Sequence, residues 1–261
     1  MYRSPRRRVF LKRLRIGPAY KLFFLAVVAY VLLVGAARTY DFAVTTADRR
    51  EVAALAPVLV DKLVVVDAGH GGPDPGVVRD GVREKDITLA VALRLAEYLE
   101  QGGARVLLTR DKDCDLADSE PGTKSRKRQD LERRVAIAND NKADVFVSIH
   151  VNSFDEANEH GAQTFSQLGC TEGYQLAHAI QDELKTLLRN TDRVAKRGDY
   201  FTGRTTKMPA VVVEIGFITN PRECKLLQEP EYQSKVAFAI YAGLVRYFAS
   251  GAGVVPPLTG E

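Results

Sequence analysis

The chain has 261 residues, 46% of them hydrophobic, which is enough to bury one sizeable core, and a formal charge of +4. Nine Lys/Arg and no Asp/Glu fall within the first 38 residues, so setting these aside leaves about −5 for the rest and excludes a broad basic surface for nucleic acid. The cysteines, Cys114, Cys170 and Cys224, are odd in number and far apart, which excludes a disulfide framework and a thiolate zinc site.

Residues 1–21 hold eight Lys/Arg and lead into the uncharged apolar run 22–37, closed by Arg38. Sixteen apolar residues at a helical rise of ~1.5 Å span roughly 24 Å, close to the hydrocarbon core of a bilayer. The expectation is a cytoplasmic basic segment (1–21) and a transmembrane anchor or signal segment (22–38), with everything beyond Arg38 exported. Gly35, Ala36 and Ala37 also suit a cleavage site; the uncleaved anchor is favoured. Residues 39–61 show no strong period and read as a linker, 62–250 as one domain, and 251–261 as a flexible tail.

Within the domain, apolar runs of strand length alternate with amphipathic helical spacing. Strands are expected at 63–67, 105–109, 144–149, 161–167 and 210–215, and helices at 86–101, 129–141, 173–189 and 231–249. Strands that are apolar throughout need cover on both faces. The fold class is therefore α/β: a single domain with a largely parallel sheet flanked by helices on both faces, behind an N-terminal transmembrane helix.

Open α/β sheets bind ligands beyond the carboxyl ends of their strands. There the sequence places His70 after the first strand (VVVDAGHGG), His150 at the end of another (VSIHVN) and Glu214 at the end of a third (VVVEIG), with Glu84 opening the first helix. A single such residue is ordinarily a loop histidine or a first-turn acid; the four together carry a pattern. Two imidazoles and one carboxylate suit a single Zn²⁺ ion and leave a fourth position for water, so His70, Glu84 and His150 are the expected metal ligands. Glu214, an acid ending a run of valines, suits the neighbouring catalytic acid/base.

At these residues the chain resembles the zinc-dependent N-acetylmuramoyl-L-alanine amidases. The likeness runs from about residue 63 to 248 through VVVDAGHGGPDPG, REKDITLAVALRLAEYL, VLLTR, DLERRVAIAN, ADVFVSIHVNS and MPAVVVEIGFITNPRE. The resemblance implies hydrolysis of the amide joining N-acetylmuramic acid to L-alanine in peptidoglycan, with the same three ligands and the same acid/base. It also suggests Asn152 and Arg204 as substrate contacts. The short charged connection 110–131, without an inhibitory insertion, and the bare N-terminal segment look most like the spore-cortex amidases of endospore formers. That likeness implies a muramic-acid deacetylase acting afterwards to form the δ-lactam read at germination, and leaves room for an accessory protein. Thr202-Gly203 departs from the family pattern, interrupting what usually reads as a more apolar strand. Another peptidoglycan zinc hydrolase, a carboxypeptidase or deacetylase, and an inactive binding module are the competing readings.

Overall fold

The computed structural model describes residues 18–118 and 125–251; the basic stretch 1–17, part of the short connection (119–124) and the tail from 252 lie outside the described residues. The chain divides into two compact units, 1–49 and 50–261.

Helix α1 (Pro18–Leu55) runs through the expected anchor segment and beyond it. The segment 39–61, expected as an irregular linker, is helical through Leu55 and continues as a 3-10 turn (Ala56–Leu59). Most of the described side chains of α1 are exposed, and near its end Val52 and Leu55 meet the core. Among the described residues, no helix is long and apolar enough to cross a membrane.

The second unit is built on a six-stranded sheet in the order β4-β1-β5-β8-β6-β7. Its strands are β1 (Leu63–Ala68), β4 (Arg105–Leu108), β5 (Val145–Asn152), β6 (Gln163–Ser166), β7 (Lys196–Arg197) and β8 (Ala210–Phe217). All neighbouring strands are parallel except β6 against β8. The helices are α2 (Glu84–Gln101), α3 (Arg126–Asp140), α4 (Thr171–Leu188), α5 (Phe201–Thr205), α6 (Pro221–Leu226) and α7 (Pro230–Ala249).

The two faces of the sheet differ. Side chains alternate along a strand, so Val64, Val66, Val147, Ile149, Val211 and Val213 share one face and join the main core with α2, α4 and α7. The other face carries Leu63, Val65, Phe146 and Ala210 in a smaller cluster with Ala138 of α3. Continuing towards the carboxyl ends, that second face turns polar: Asp67, Ser148, His150 and Glu214 follow by the same alternation. Among the described residues its helical cover is α3 and the five-residue α5.

The strand order supplies the crevice. From β1 the chain crosses by α2 to β4 on one side, whereas β5 lies on the other side of β1, so the loops after β1 and β5 diverge at a switch point. His70 lies just past the end of β1 and His150 near the carboxyl end of β5, at the mouths of those two loops.

The expected interrupted strand around Thr202-Gly203 is helix α5 instead. Gly203 weakens no pairing there. Its missing side chain lets the turn approach Gln167, whose Cβ would lie 3.1 Å from a Cβ built at Gly203.

Candidate metal centre and catalytic site

Each member of the site is delivered by a local device readable in its own residues. After β1 the chain enters the left-handed region at His70 (φ 62°), followed by Gly71 (φ 128°) and Gly72 (φ 57°). Gly71 and Asp74 exchange backbone hydrogen bonds of 2.9 and 3.2 Å, closing a tight turn. The turn brings Asp74 Oδ2 to 2.9 Å from His70 Nδ1, while Asp74 Oδ1 accepts from the Gly76 N–H at 3.0 Å. The other ring nitrogen, His70 Nε2, faces Glu84 Oε1 at 3.2 Å.

Glu84 is reached through a small hairpin, β2 (Val78–Arg79) and β3 (Val82–Arg83), turned by Asp80 (φ 50°) and Gly81 (φ 82°). An Asp-Gly pair with both residues left-handed is the favoured two-residue hairpin turn. Glu84 then opens α2 with its side chain buried, 3% exposed. Its Oε2 accepts from Val77 N–H (2.9 Å) and its Oε1 from Val151 N–H (2.9 Å), which ties the helix start to the first loop and to β5. His150 Nδ1 lies 3.2 Å from the same Oε1. The two imidazoles stand edge to face, centroids 5.0 Å apart.

One donor atom from each of His70, Glu84 and His150 therefore lies within 4.8 Å of the others. A tetrahedral zinc with ligand bonds near 2.0–2.2 Å separates its ligand atoms by about 3.3 Å. Both imidazole-to-carboxylate separations, 3.2 Å, match that spacing. The donor set is nitrogen and oxygen, and Asp74 supports the far nitrogen of His70 as carboxylates do behind metal-bound histidines. The residues fit a zinc ion.

Packing enforces this closeness. A Cβ built at Gly69 would sit 2.5–2.7 Å from three atoms of the His150 ring, so only glycine lets the first loop pass beside that imidazole.

Electrostatics divides the two glutamates. Burial acts to raise the pKa of Glu84, but hydrogen bonds with His150 and His70, and their charge, hold the carboxyl far below the usual range. Burial lowers and the Glu84 hydrogen bond raises the pKa of His150, with a net rise. Glu214 stands directly across the β5–β8 ladder from His150. Its burial dominates and pushes its pKa up to about 7, with Glu84 adding to the rise and His150 opposing it. Glu214 Oε2 is buried and lacks a hydrogen-bond partner among the described residues. A carboxyl that titrates near neutrality beside a cluster of metal-ligand groups can take and return a proton.

The four residues expected at the site are thus assembled. The two expected substrate contacts are not held in the same way. Asn152 is on β5 beyond a register shift and caps the Ser153 N–H at 2.8 Å with its own Oδ1. Arg204 is on α5, with its guanidinium on Asp199 Oδ1 at 2.5 Å. Sequence reasoning did not single out Asp74, Gly69 or the hairpin. The Asp-Gly pair between two short Val-Arg repeats was a usable signal for the hairpin; an Asp in a Gly/Pro loop carries none for Asp74.

Comparisons with known proteins were consistent. Residues 64–246 match a family model described as N-acetylmuramoyl-L-alanine amidase. The chain is 45% identical over 193 residues to the germination-specific N-acetylmuramoyl-L-alanine amidase of Bacillus subtilis (strain 168), covering 73% of this chain and 81% of that one. The CwlD amidase from Clostridioides difficile, solved in complex with the GerS lipoprotein, has a TM-score of 0.70 at 38% identity, covering 73% of this chain and 100% of that one. The catalytic domain of the amidase CwlV from Bacillus (Paenibacillus) polymyxa has a TM-score of 0.62 at 33% identity, covering 71% and 97%.

Proposed function

This chain belongs to the N-acetylmuramoyl-L-alanine amidase family, and we propose that its amidase activity on peptidoglycan depends on one zinc ion held by His70, Glu84 and His150, with Glu214 as the general acid/base. The observation that carries the proposal is the convergence of three metal-ligand atoms with a buried carboxyl of raised pKa one strand away.

When bound, zinc supplies Lewis-acid polarisation of an amide carbonyl and acidification of water. The chain's own residues do the rest. Asp74 keeps a hydrogen bond on His70 Nδ1, which leaves Nε2 facing the site as a donor atom for the metal. Backbone N–H groups of Val77 and Val151 orient the Glu84 carboxylate, and the two neighbouring imidazoles keep it ionised. Glu214, with its pKa raised to about 7, accepts the proton of the attacking water and returns it to the departing amide nitrogen of L-alanine. The bond cut is that between the lactyl group of N-acetylmuramic acid and L-alanine.

The biological setting proposed is spore-cortex maturation, with a muramic-acid deacetylase acting on the product to give the δ-lactam. Identity to the germination-specific Bacillus amidase and likeness to CwlD support it. That CwlD was solved with a lipoprotein supports an accessory protein for this chain as well. We place the catalytic domain outside the cytoplasm, held by the apolar segment 22–38; Leu22, Phe23 and Leu33 on α1 are 67–71% exposed, which suits a lipid surrounding.

Mass spectrometry of peptidoglycan before and after incubation with the zinc-loaded protein tests the activity. New L-alanine amino termini with released peptides are expected. Shortened peptides on intact muramoyl links point to a carboxypeptidase, free glucosamine-type amines to a deacetylase, and an unchanged polymer with bound protein to an inactive binding module.

A further inference from the structure

The backbone of the first metal loop is held by two buried arginines. Arg134 of α3 and Arg110, just past β4, are 1% and 3% exposed. Arg134 Nη2 donates to the carbonyl of His70 at 2.6 Å, and its Nη1 donates to the carbonyl of Ala68 at 2.7 Å and to Asp67 Oδ1 at 2.8 Å. Its Nε donates to Asp130 Oδ2 at 2.8 Å, so Asp67 and Asp130 together balance its charge. Arg110 Nε also donates to the Ala68 carbonyl at 2.9 Å, and its Nη2 donates to the carbonyls of Gly69 (2.9 Å) and Lys85 (2.8 Å). Every carbonyl from Ala68 to His70 thus ends on a guanidinium, and one of these guanidiniums also grips the first turn of α2 next to Glu84.

This distribution has a physical reason. Sheet pairing of β1 ends at Ala68, so the next carbonyls lose their ladder partners while still buried. His70 moreover adopts φ 62°, a conformation disfavoured for a residue with a side chain. Something must over-determine it, and the carbonyl of His70 itself is the acceptor of the short Arg134 bond. Asp74 fixes the imidazole at its far nitrogen and Arg134 fixes the peptide that carries it.

We propose that Arg134, aided by Arg110, is a positioning residue for the metal: by holding the carbonyls of residues 68–70 it keeps His70 left-handed and its Nε2 aimed at the shared site. The proposal rests on the reading of His70, Glu84 and His150 as zinc ligands. A lysine at 134 keeps the charge but cannot span Asp67, Ala68, His70 and Asp130 at once.

The test is zinc affinity of the full chain, by competition with a chromophoric chelator, beside thermal melting of the metal-free protein. For Arg134→Lys we expect roughly 10- to 100-fold weaker zinc binding, the range seen when support behind a ligand is removed. Should Arg134→Lys not fold, Arg110→Lys serves in its place, with about fivefold or greater weakening expected, since the Ala68 carbonyl loses one of its two guanidiniums and the Gly69 carbonyl loses the one it has. A purely structural role lowers the melting temperature and leaves zinc affinity at the wild-type value; that result in a folded variant overturns the proposal. Wild-type protein that binds no zinc overturns the underlying metal reading instead, so the two failures are distinguishable.

Discussion

Glu214 and His150 are direct partners across the parallel β5–β8 ladder, on the sheet face that carries α3 and α5. Their register places a carboxyl whose Oε2 has no hydrogen-bond partner among the described residues one strand away from an imidazole bonded to Glu84.

Replacing that carboxyl with an amide keeps its volume and removes its proton. Glu214→Gln is expected to lower kcat on peptidoglycan by about 10²- to 10⁴-fold while retaining stoichiometric zinc. Counting new L-alanine amino termini beside elemental analysis checks this. Wild-type turnover in the variant would falsify the acid/base role.

The same group sets a pH dependence in the metal-free protein. Its folded pKa, about 7, lies above the ordinary carboxyl value near 4.5, so the folded state holds the proton more tightly. The resulting stabilisation is complete below about pH 4.5 and is lost as the pH rises through 7, and the raised pKa of His150 acts in the same direction. Glu84, whose pKa is depressed, contributes in the opposite sense and only in acid. Melting of metal-free wild type and Glu214→Gln from pH 4.5 to 8 should show the variant gaining on wild type by up to about 3 kcal/mol. Parallel curves count against a proton held by Glu214.

Asp74 makes its prediction through His70 alone. Asp74→Asn leaves an amide at 2.9 Å from Nδ1 and disturbs the choice of tautomer. Zinc affinity should fall about tenfold or more, whereas His70→Ala should abolish zinc binding with the fold kept, because the apolar sheet does not depend on it. Chelator competition ranks the two; equal affinity in Asp74→Asn and wild type removes Asp74 from the site.

Gly69→Ala tests the closeness of the first loop to β5. Its added methyl would meet the His150 ring at 2.5 Å, so either the ring or the loop must move. Loss of zinc and of most activity is expected. Gly169→Ala is the comparison: its φ of +74° strains an alanine, which the backbone at Gly69 does not, but no atom lies within 4 Å of the added carbon. It should lose about 1 kcal/mol of stability and keep its zinc, and a matching zinc loss there would dismiss the steric explanation.

Much of this architecture is visible in single segments. Apolar runs such as LVVVD and AVVVEI announce buried strands because a strand covered on both faces has no room for polar alternation. The exceptions along them, Asp67 and Glu214, stand out for the same reason. Less visible were features without a period: the helical continuation of 39–55, and α5, where a Gly suggested a weakened strand and proved to be a close contact with Gln167. Asn152 and Arg204 were suggested by the family resemblance, and Arg204 spends its guanidinium on Asp199.

The sequence by itself determined the α/β class and the longer strands and helices of the domain, and it singled out the four residues of the candidate centre, because hydrophobic periodicity and ligand chemistry are local properties of residue order. Only the tertiary structure decided which face of the sheet carries the site, that Glu84 meets both imidazoles through one oxygen, and that Arg110 and Arg134 grip the loop bearing His70. Those depend on strand order and register, which bring together residues as far apart as 70 and 134 and which no single segment encodes.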